Sequence, residues 1–192
     1  MKIGYMGVTS TFVVPDDLDA LTRHPKASQP GEPINLHHTQ CHGCGDDAPE
    51  GLHIKIFAGD GFTVRARMLV EPRMEGGPGQ IHGGILATAF DEVMSHLPLL
   101  VGGHCVTAHL QVDFAAGIPV GSTLYFEGRL LGRQRRKLYT EVVAYLADPL
   151  VDAGAEAVAS GRALFVKIDS ARHYAETLAN SKAAEQISRR RG

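Results

Sequence analysis

The chain has 192 residues, of which 21% are charged and 44% belong to the hydrophobic group AVILMFWYC. This length fits one domain with short extensions and argues against a two-domain dehydrogenase or a full α/β barrel. Nineteen basic and 21 acidic residues give a net charge of −2, so no broad surface is suited to nucleic acid. Any basic site must therefore be local.

The N-terminal part of the chain has the composition of an extension. Residues 1–40 contain several prolines, and only Asp16 to Leu21 resembles a short capped helix. The odd cysteine count and the lack of a signal-peptide pattern predict a cytoplasmic protein. Because Asp91, Glu92 and Pro98 interrupt the longest apolar stretch, we expect no membrane span and no membrane partner.

Six strands and one long helix are predicted in the middle of the chain. Apolar residues alternate in 52–56 and 62–68, and a loop rich in glycine and proline follows at 71–80. Residues 83–97 are apolar almost all round, which predicts a buried helix. Alternation in four later segments predicts the remaining strands, at 104–114, 122–131, 137–146 and 156–168.

This order of elements predicts the fold class. Two strands, one helix and four strands do not alternate as in a doubly wound sheet. We therefore predict an α+β fold, in which an antiparallel sheet of about six strands wraps around one central helix. The segment 170–192 is predicted as a helix from Ser170 to about Ile187, followed by the basic tail Arg189 to Arg191.

The stretch His82-Gly83-Gly84, followed by Asp91, carries the most specific chemical signal. The glycines lie where a loop enters the helix, so unpaired N–H groups and the positive end of the helix dipole would suit an oxyanion. Asp91 lies on an otherwise apolar helix, where a carboxylate is costly to bury without a partner or a function. It could also be structural, paired with His82 or His96. Gly83 and Asp91 would be about 12 Å apart along the helix axis.

These residues and their surroundings resemble a known family, the hotdog-fold acyl-CoA thioesterases of the phenylacetate-degradation type. The resemblance rests on His82-Gly83-Gly84 and Asp91, preceded by Pro78-Gly79 and followed by Thr107-x-His-Leu110-x-Val112-x-Phe114. It covers about residues 41 to 168. It implies a hotdog domain at 41–169 that hydrolyses acyl-CoA thioesters without metal or cofactor, as a homodimer or homotetramer.

The resemblance also implies roles for individual residues. Asp91 would be the general base or nucleophile, and the N–H of Gly83 would polarise the thioester carbonyl. Thr107 of the neighbouring subunit would help to place water. His82 joins this catalytic set as a hydrogen-bonding residue of the turn. Glu92 points about 100° away from Asp91 on the helix and is interpreted as structural or interfacial.

Three further positions are predicted to contact the substrate. Gly84 lies in the same turn, and Ser95, one helical turn after Asp91, matches a position that holds a hydroxyl in some relatives. Many relatives carry Asn or Gln seven positions before the first glycine of the pair, where this chain has Gly76. Gln80 is close enough in sequence to replace that amide.

A basic run at a predicted hairpin has two interpretations. Five of the 19 basic residues fall within nine residues that contain no acid: Arg129, Arg133, Arg135, Arg136 and Lys137. The last four are predicted to hold the phosphates of coenzyme A, because arginine matches phosphate geometry. The alternative is a solvated turn. The run has no aromatic residue for base stacking, so we expect no nucleic acid partner.

Cys41 and Cys44 are separated by two residues, and three histidines lie close to them in sequence, His37, His38 and His42. A structural zinc site needs four ligands, and no second cysteine pair or spaced histidine pair follows downstream. A redox pair would need a strand-to-helix context that this proline-rich neighbourhood lacks. The sequence therefore predicts no metal here.

Two other functions stay open at this point. A hydroxyacyl-CoA dehydratase on the same fold needs a histidine and a carboxylate facing one substrate carbon, and His82 and Asp91 could serve in that way. A non-catalytic acyl-CoA binding module would not need Asp91. The acyl group itself is not predicted by the sequence.

Overall fold

The computed structural model describes residues 12–35, 37–181 and 184. Its strands are β1 (Lys55–Ala58), β2 (Thr63–Leu69), β3 (Cys105–Phe114), β4 (Thr123–Gln134), β5 (Lys137–Tyr145) and β6 (Ala157–Lys167). Its helices are α1 (Gly83–Ser95) and α2 (Ser170–His173), with 3₁₀ turns at Pro72–Met74, Leu97–Val101 and Leu178–Asn180. The strands form one sheet in the order β1-β2-β4-β5-β6-β3, with every pair antiparallel. This architecture confirms the predicted fold class.

Helix α1 packs on the sheet through the apolar stripe that the sequence predicted. The stripe residues are all buried: Leu86, Phe90, Val93 and Leu97. The ring of Phe90 meets Phe126 of β4 edge to face, with the ring centroids 5.7 Å apart. Gly161 of β6 makes room for Phe90, because a Cβ there would lie 2.7 Å from the ring. Each large buried side chain contributes about 2 kcal/mol, so the stripe fixes the rotation of α1 and the directions of its polar residues.

The expectation that no stretch could span a membrane was wrong by length and composition. Among the described residues, Gly83–Val101 gives 19 residues with a hydropathy of 1.3, which is enough for a span. In the structure, 56% of its most apolar window is buried. Burial of this kind is also typical of the core helix of a globular domain.

The N-terminal extension packs on the sheet, but its predicted helix is absent. Residues 16–21 are not helical. Instead, Asp19 forms an isolated antiparallel bridge with Arg133, because its backbone is held by the β4–β5 hairpin. Further along, the N–H of Ile34 donates to the carbonyl oxygen of Ile56, 2.8 Å away, so the extension also covers the outer edge of β1.

The C-terminal helix is much shorter than predicted. Helix α2 ends at His173, and Asp169, not Ser170, is its N-cap, accepting hydrogen bonds from the backbone N–H of Ala171 and Arg172. Of the residues after Ser181, only Ala184 is described. The predicted continuation to Ile187 and the Arg189 to Arg191 tail therefore lie outside the described residues.

Strand β3 forms one edge of the sheet. It pairs with β6, and within the described part of the chain no strand pairs with its other side. Its register shifts between Thr107 and His109, and both residues are exposed. A ten-residue edge strand with open N–H and C=O groups is a template for pairing with another chain.

Candidate active site

The start of α1 has the geometry that the glycine pair predicted. His82 is the N-cap, and its Nδ1 accepts a hydrogen bond from the N–H of Gly84, 2.9 Å away. This confirms His82 as a hydrogen-bonding residue of the turn. Among the described residues, none accepts a hydrogen bond from the N–H of Gly83. The exposed N–H of Gly83, at the positive end of the helix dipole, is therefore the donor left for an oxyanion.

A cavity of about 160 Å³ lies beside Gly83. Its lining residues are Gln80, Ile81, Gly83, Leu86, Phe114, Ala116, Gly117 and Ile118. Gly76 has no room for the amide that many relatives carry, since a Cβ there would lie 2.7 Å from the Cα of His82. Gln80 is among the residues that line this cavity, and its replacement of the missing amide stays a prediction.

Asp91 lies eight residues further along α1 and contacts β3. The hydroxyl of Thr107 donates a hydrogen bond to Oδ1 of Asp91, 2.8 Å away. Burial raises the pKa of Asp91, the hydrogen bond from Thr107 opposes that rise, and the charge of Glu92 adds to it. The expectation that Thr107 would come from the neighbouring subunit was wrong, because α1 crosses the start of β3 within one chain.

Ser95 does not share the contact to Asp91. Its hydroxyl donates to the carbonyl oxygen of Glu92, 2.7 Å away. The hydroxyl of Thr88, one turn before Asp91, donates in the same way to the carbonyl oxygen of Gly84 at 3.0 Å. Both hydroxyls are thus bonded to the helix backbone, and the predicted substrate contact of Ser95 stays a prediction.

The two halves of the predicted site lie apart within one chain. Gly83 and Asp91 are separated by eight residues of unbroken helix, which is about 12 Å along the axis. The reacting groups of a thioester hydrolysis must come within about 3 Å of one carbonyl carbon. One chain therefore supplies a carboxylate at one place and an oxyanion donor at another.

The basic hairpin between β4 and β5 is partly occupied by the N-terminal extension. Nε of Arg133 lies 3.5 Å from Oδ2 of Asp19, and the backbone N–H of Arg135 donates to the same oxygen at 2.9 Å. Arg136 and Lys137 are exposed, and neither is paired with a carboxylate of the described residues. Of the predicted phosphate clamp, the extension thus pairs the guanidinium of Arg133, whereas the side chain of Arg135 stays exposed like those of Arg136 and Lys137.

A second group of side chains meets on the other side of α1, and the sequence pattern indicated only its members that precede the sheet. The ligand atoms of His37, Cys44, Glu92 and His96 all lie within 4.8 Å of one another. Cys41 joins them, with its Sγ 3.6 Å from Oε2 of Glu92. We call these five residues the His–Cys–Glu cluster. Sequence spacing signalled only the Cys41 end, although the i, i+4 spacing of Glu92 and His96 on the helix was a usable signal.

Two charged groups of the cluster stabilise each other. Burial works against the charge of His37, but its hydrogen bonds to Cys41 and Glu92 raise its pKa to about 10. Burial likewise disfavours ionised Glu92, but the nearby His37 holds the pKa of Glu92 at about 2. The interpretation of Glu92 as a structural residue is consistent with these contacts.

Part of the chain is similar to a known family. Residues 78–153 match the family model described as the thioesterase superfamily. This segment contains Gly83, Asp91, Thr107 and the basic hairpin. The candidate site thus lies in the part of the chain that is similar to this superfamily.

A curated relative is also similar to part of this chain. Acyl-coenzyme A thioesterase THEM5 of Mus musculus is 36% identical over 77 residues, which make up 40% of this chain and 31% of the mouse protein. The chain thus matches about a third of the length of that relative.

Solved structures share the fold. The E. coli PaaI protein from the phenylacetic acid degradation operon has a TM-score of 0.55 and 20% identity, covering 65% of this chain and 86% of that chain. The smu.793 protein of Streptococcus mutans, solved bound to acetyl CoA, has a TM-score of 0.53 and 18% identity, covering 60% and 88%. At these identities the likeness shows the fold alone.

Proposed function

We propose that this protein hydrolyses the thioester of an acyl-CoA to a free acid and coenzyme A. The observation that supports this proposal most directly is that α1 carries both parts of the site. One part is the Asp91 carboxylate, which is hydrogen-bonded to Thr107, and the other is the exposed N–H of Gly83 at the helix start. The family match over 78–153 and the acyl-coenzyme A thioesterase name of the mouse relative support this reaction. The neighbour bound to acetyl CoA supports the substrate class.

The 12 Å between the half-sites favours a site shared by two copies of the chain. In this proposal, Asp91 of one protomer faces Gly83 of its partner across a homodimer. Pairing along the open edge of β3 would bring the copies together, because Thr107 lies on that strand. A homotetramer of two such dimers is compatible with the same contact.

Each residue then has a chemical task. Asp91 accepts the proton of an attacking water, or attacks the carbonyl carbon itself, and burial makes it the stronger base. Thr107 orients the carboxylate through its hydrogen bond. The N–H of Gly83 stabilises the negative charge that develops on the carbonyl oxygen, and Gln80 on the cavity wall is a second donor.

The finer assignments belong to the same proposal. The free cations Arg136 and Lys137 bind phosphates of coenzyme A. Thr107 on β3 is paired across the sheet with Phe165, Phe165 with Leu138, and Leu138 with Arg133 at the hairpin. These three steps between neighbouring strands place the Asp91 side of the site about 14 Å from the hairpin at the usual strand spacing. The phenylacetate-degradation type of the family and a cytoplasmic location are parts of the proposal that rest on the sequence.

A substrate panel tests the reaction class. We expect wild-type protein to release free thiol from at least one of a set of short, long and aromatic acyl-CoAs. Hydration of an enoyl-CoA without free thiol would instead identify the dehydratase. Binding without turnover across the whole panel would identify a non-catalytic module.

A further inference from the structure

We propose that the His–Cys–Glu cluster is a structural site for one divalent cation of the zinc class. The site goes beyond the proposed hydrolysis, since none of its five residues is given a part in that reaction. It joins the segment 37–44, which precedes the sheet, to the buried side of α1. The argument rests on the geometry, the donor chemistry and the packing of the cluster.

The donor atoms all lie within 4.8 Å of one another, and several of their distances are close to those around a bound zinc ion. Nδ1 of His37 lies 3.8 Å from Sγ of Cys44, 3.9 Å from Sγ of Cys41 and 3.2 Å from Oε1 of Glu92. Nδ1 of His96 lies 3.6 Å from the same Glu92 oxygen. Tetrahedral zinc with its usual bond lengths separates its ligand atoms by about 3.3 to 3.8 Å.

The donors are also chemically suited to zinc. Two cysteines, two histidines and a carboxylate are the three ligand types that zinc uses, whereas calcium and magnesium prefer oxygen alone. Oε1 of Glu92 is buried, and the two histidine nitrogens nearest to it, Nδ1 of His37 at 3.2 Å and Nδ1 of His96 at 3.6 Å, are themselves zinc-type donors. A cation at the centre of the cluster would contact the carboxylate and both nitrogens together.

Packing buries three of the five donors. The side chains of Glu92 and His96 are only 8% and 1% exposed, and Cys44 is fully buried. Gly43 is required between the cysteines, because a Cβ there would lie 2.1 Å from Oε2 of Glu92. The N–H of Gly45 donates to the carbonyl oxygen of Cys41 at 2.8 Å, which completes a tight turn around the pair.

Metal analysis of the purified, reduced protein tests the proposal. We expect about one zinc per chain in wild type, because a closed site of this type binds a single ion. Cys44→Ser and His96→Gln should each lose most of that metal. Cys105→Ser is the matched control, because Cys105 lies on β3 away from the cluster. Equal loss in Cys44→Ser and Cys105→Ser would overturn the site.

A titration of wild-type protein keeps the test valid if the variants do not fold. After removal of metal with a chelator, added cobalt should produce a thiolate-to-cobalt charge-transfer band that saturates near one equivalent per chain. The same titration on Cys105→Ser should give an unchanged band. Wild-type protein that carries no metal as purified and shows no such band would contradict the proposal.

Discussion

Asp91 and Glu92 are neighbours in sequence on one helix, yet their surroundings differ sharply. Asp91 is half-buried, faces β3 and accepts one hydrogen bond, from Thr107. Glu92 is buried and faces cysteine and histidine side chains of the segment before the sheet. The comparison teaches that the elements packed across from a carboxylate, and not its helix, determine its chemistry. In the proposed function, Asp91 takes part in the reaction, whereas Glu92 contacts the His–Cys–Glu cluster.

Replacing the two carboxylates by their amides is the strongest way to break this comparison. Asp91→Asn should lower kcat at least about a hundredfold with little change in KM, because it removes a positioned base but keeps the shape. Its melting temperature should stay near that of wild type. Steady-state thiol release and thermal unfolding measure both effects.

Glu92→Gln is the matched variant on the same helix. It should lose about 3 kcal/mol of unfolding free energy, because it leaves His37 and the cysteines without their buried carboxylate. An Asp91→Asn protein with wild-type kcat would contradict the role of Asp91 in the reaction. An Asp91→Asn protein destabilised as much as Glu92→Gln would contradict the difference in structural role between the two carboxylates.

Thr107→Val sharpens the account of the Asp91 side. Loss of the hydroxyl that bonds Asp91 should reduce kcat about tenfold, which corresponds to one hydrogen bond to a charged group. Thr107→Ser keeps the hydroxyl and should restore most of the rate. Equal rates in the valine and serine variants would remove Thr107 from the positioning of the carboxylate.

The basic hairpin should give the smallest effect, and it should appear in KM. The double variant Arg136→Ala/Lys137→Ala should raise KM for acyl-CoA about threefold, because exposed charge contacts to phosphate are individually weak. KM for an acyl-pantetheine without the nucleotide should not change. Lys55→Ala/Arg65→Ala, on β1 and β2, removes the same charge elsewhere and is the control. Equal shifts for both substrates would exclude phosphate binding.

Local patterns predicted the central part of the molecule well. The apolar stripe of α1 and the period-two strands identified the sheet and its helix, because these patterns record burial directly. The turn at His82 and Gly83 was equally readable, since an N-cap and a helix start depend on adjacent residues.

Features that depend on contacts with residues far away in sequence could not be predicted from local patterns. Asp16 to Leu21 has a capping pattern, but the docking of Asp19 on Arg133 decides its conformation. The Cys41 and Cys44 pair has His37 nearby in sequence, but its other partners, Glu92 and His96, come from α1, about 50 residues further along the chain. Both the conformation of residues 16–21 and the membership of the cluster depend on long-range packing, which sequence spacing does not encode.

The sharing of one site between two copies is the central claim, and subunit mixing tests it most directly. Gly83→Pro removes only the N–H in question, because the first position of a helix tolerates proline and His82 already has an extended backbone. Asp91→Asn and Gly83→Pro should each be nearly inactive alone. After proven subunit exchange at equal amounts, we predict recovery of about a quarter of wild-type activity, because half the dimers are hybrids with one intact site. No recovery would contradict the shared site.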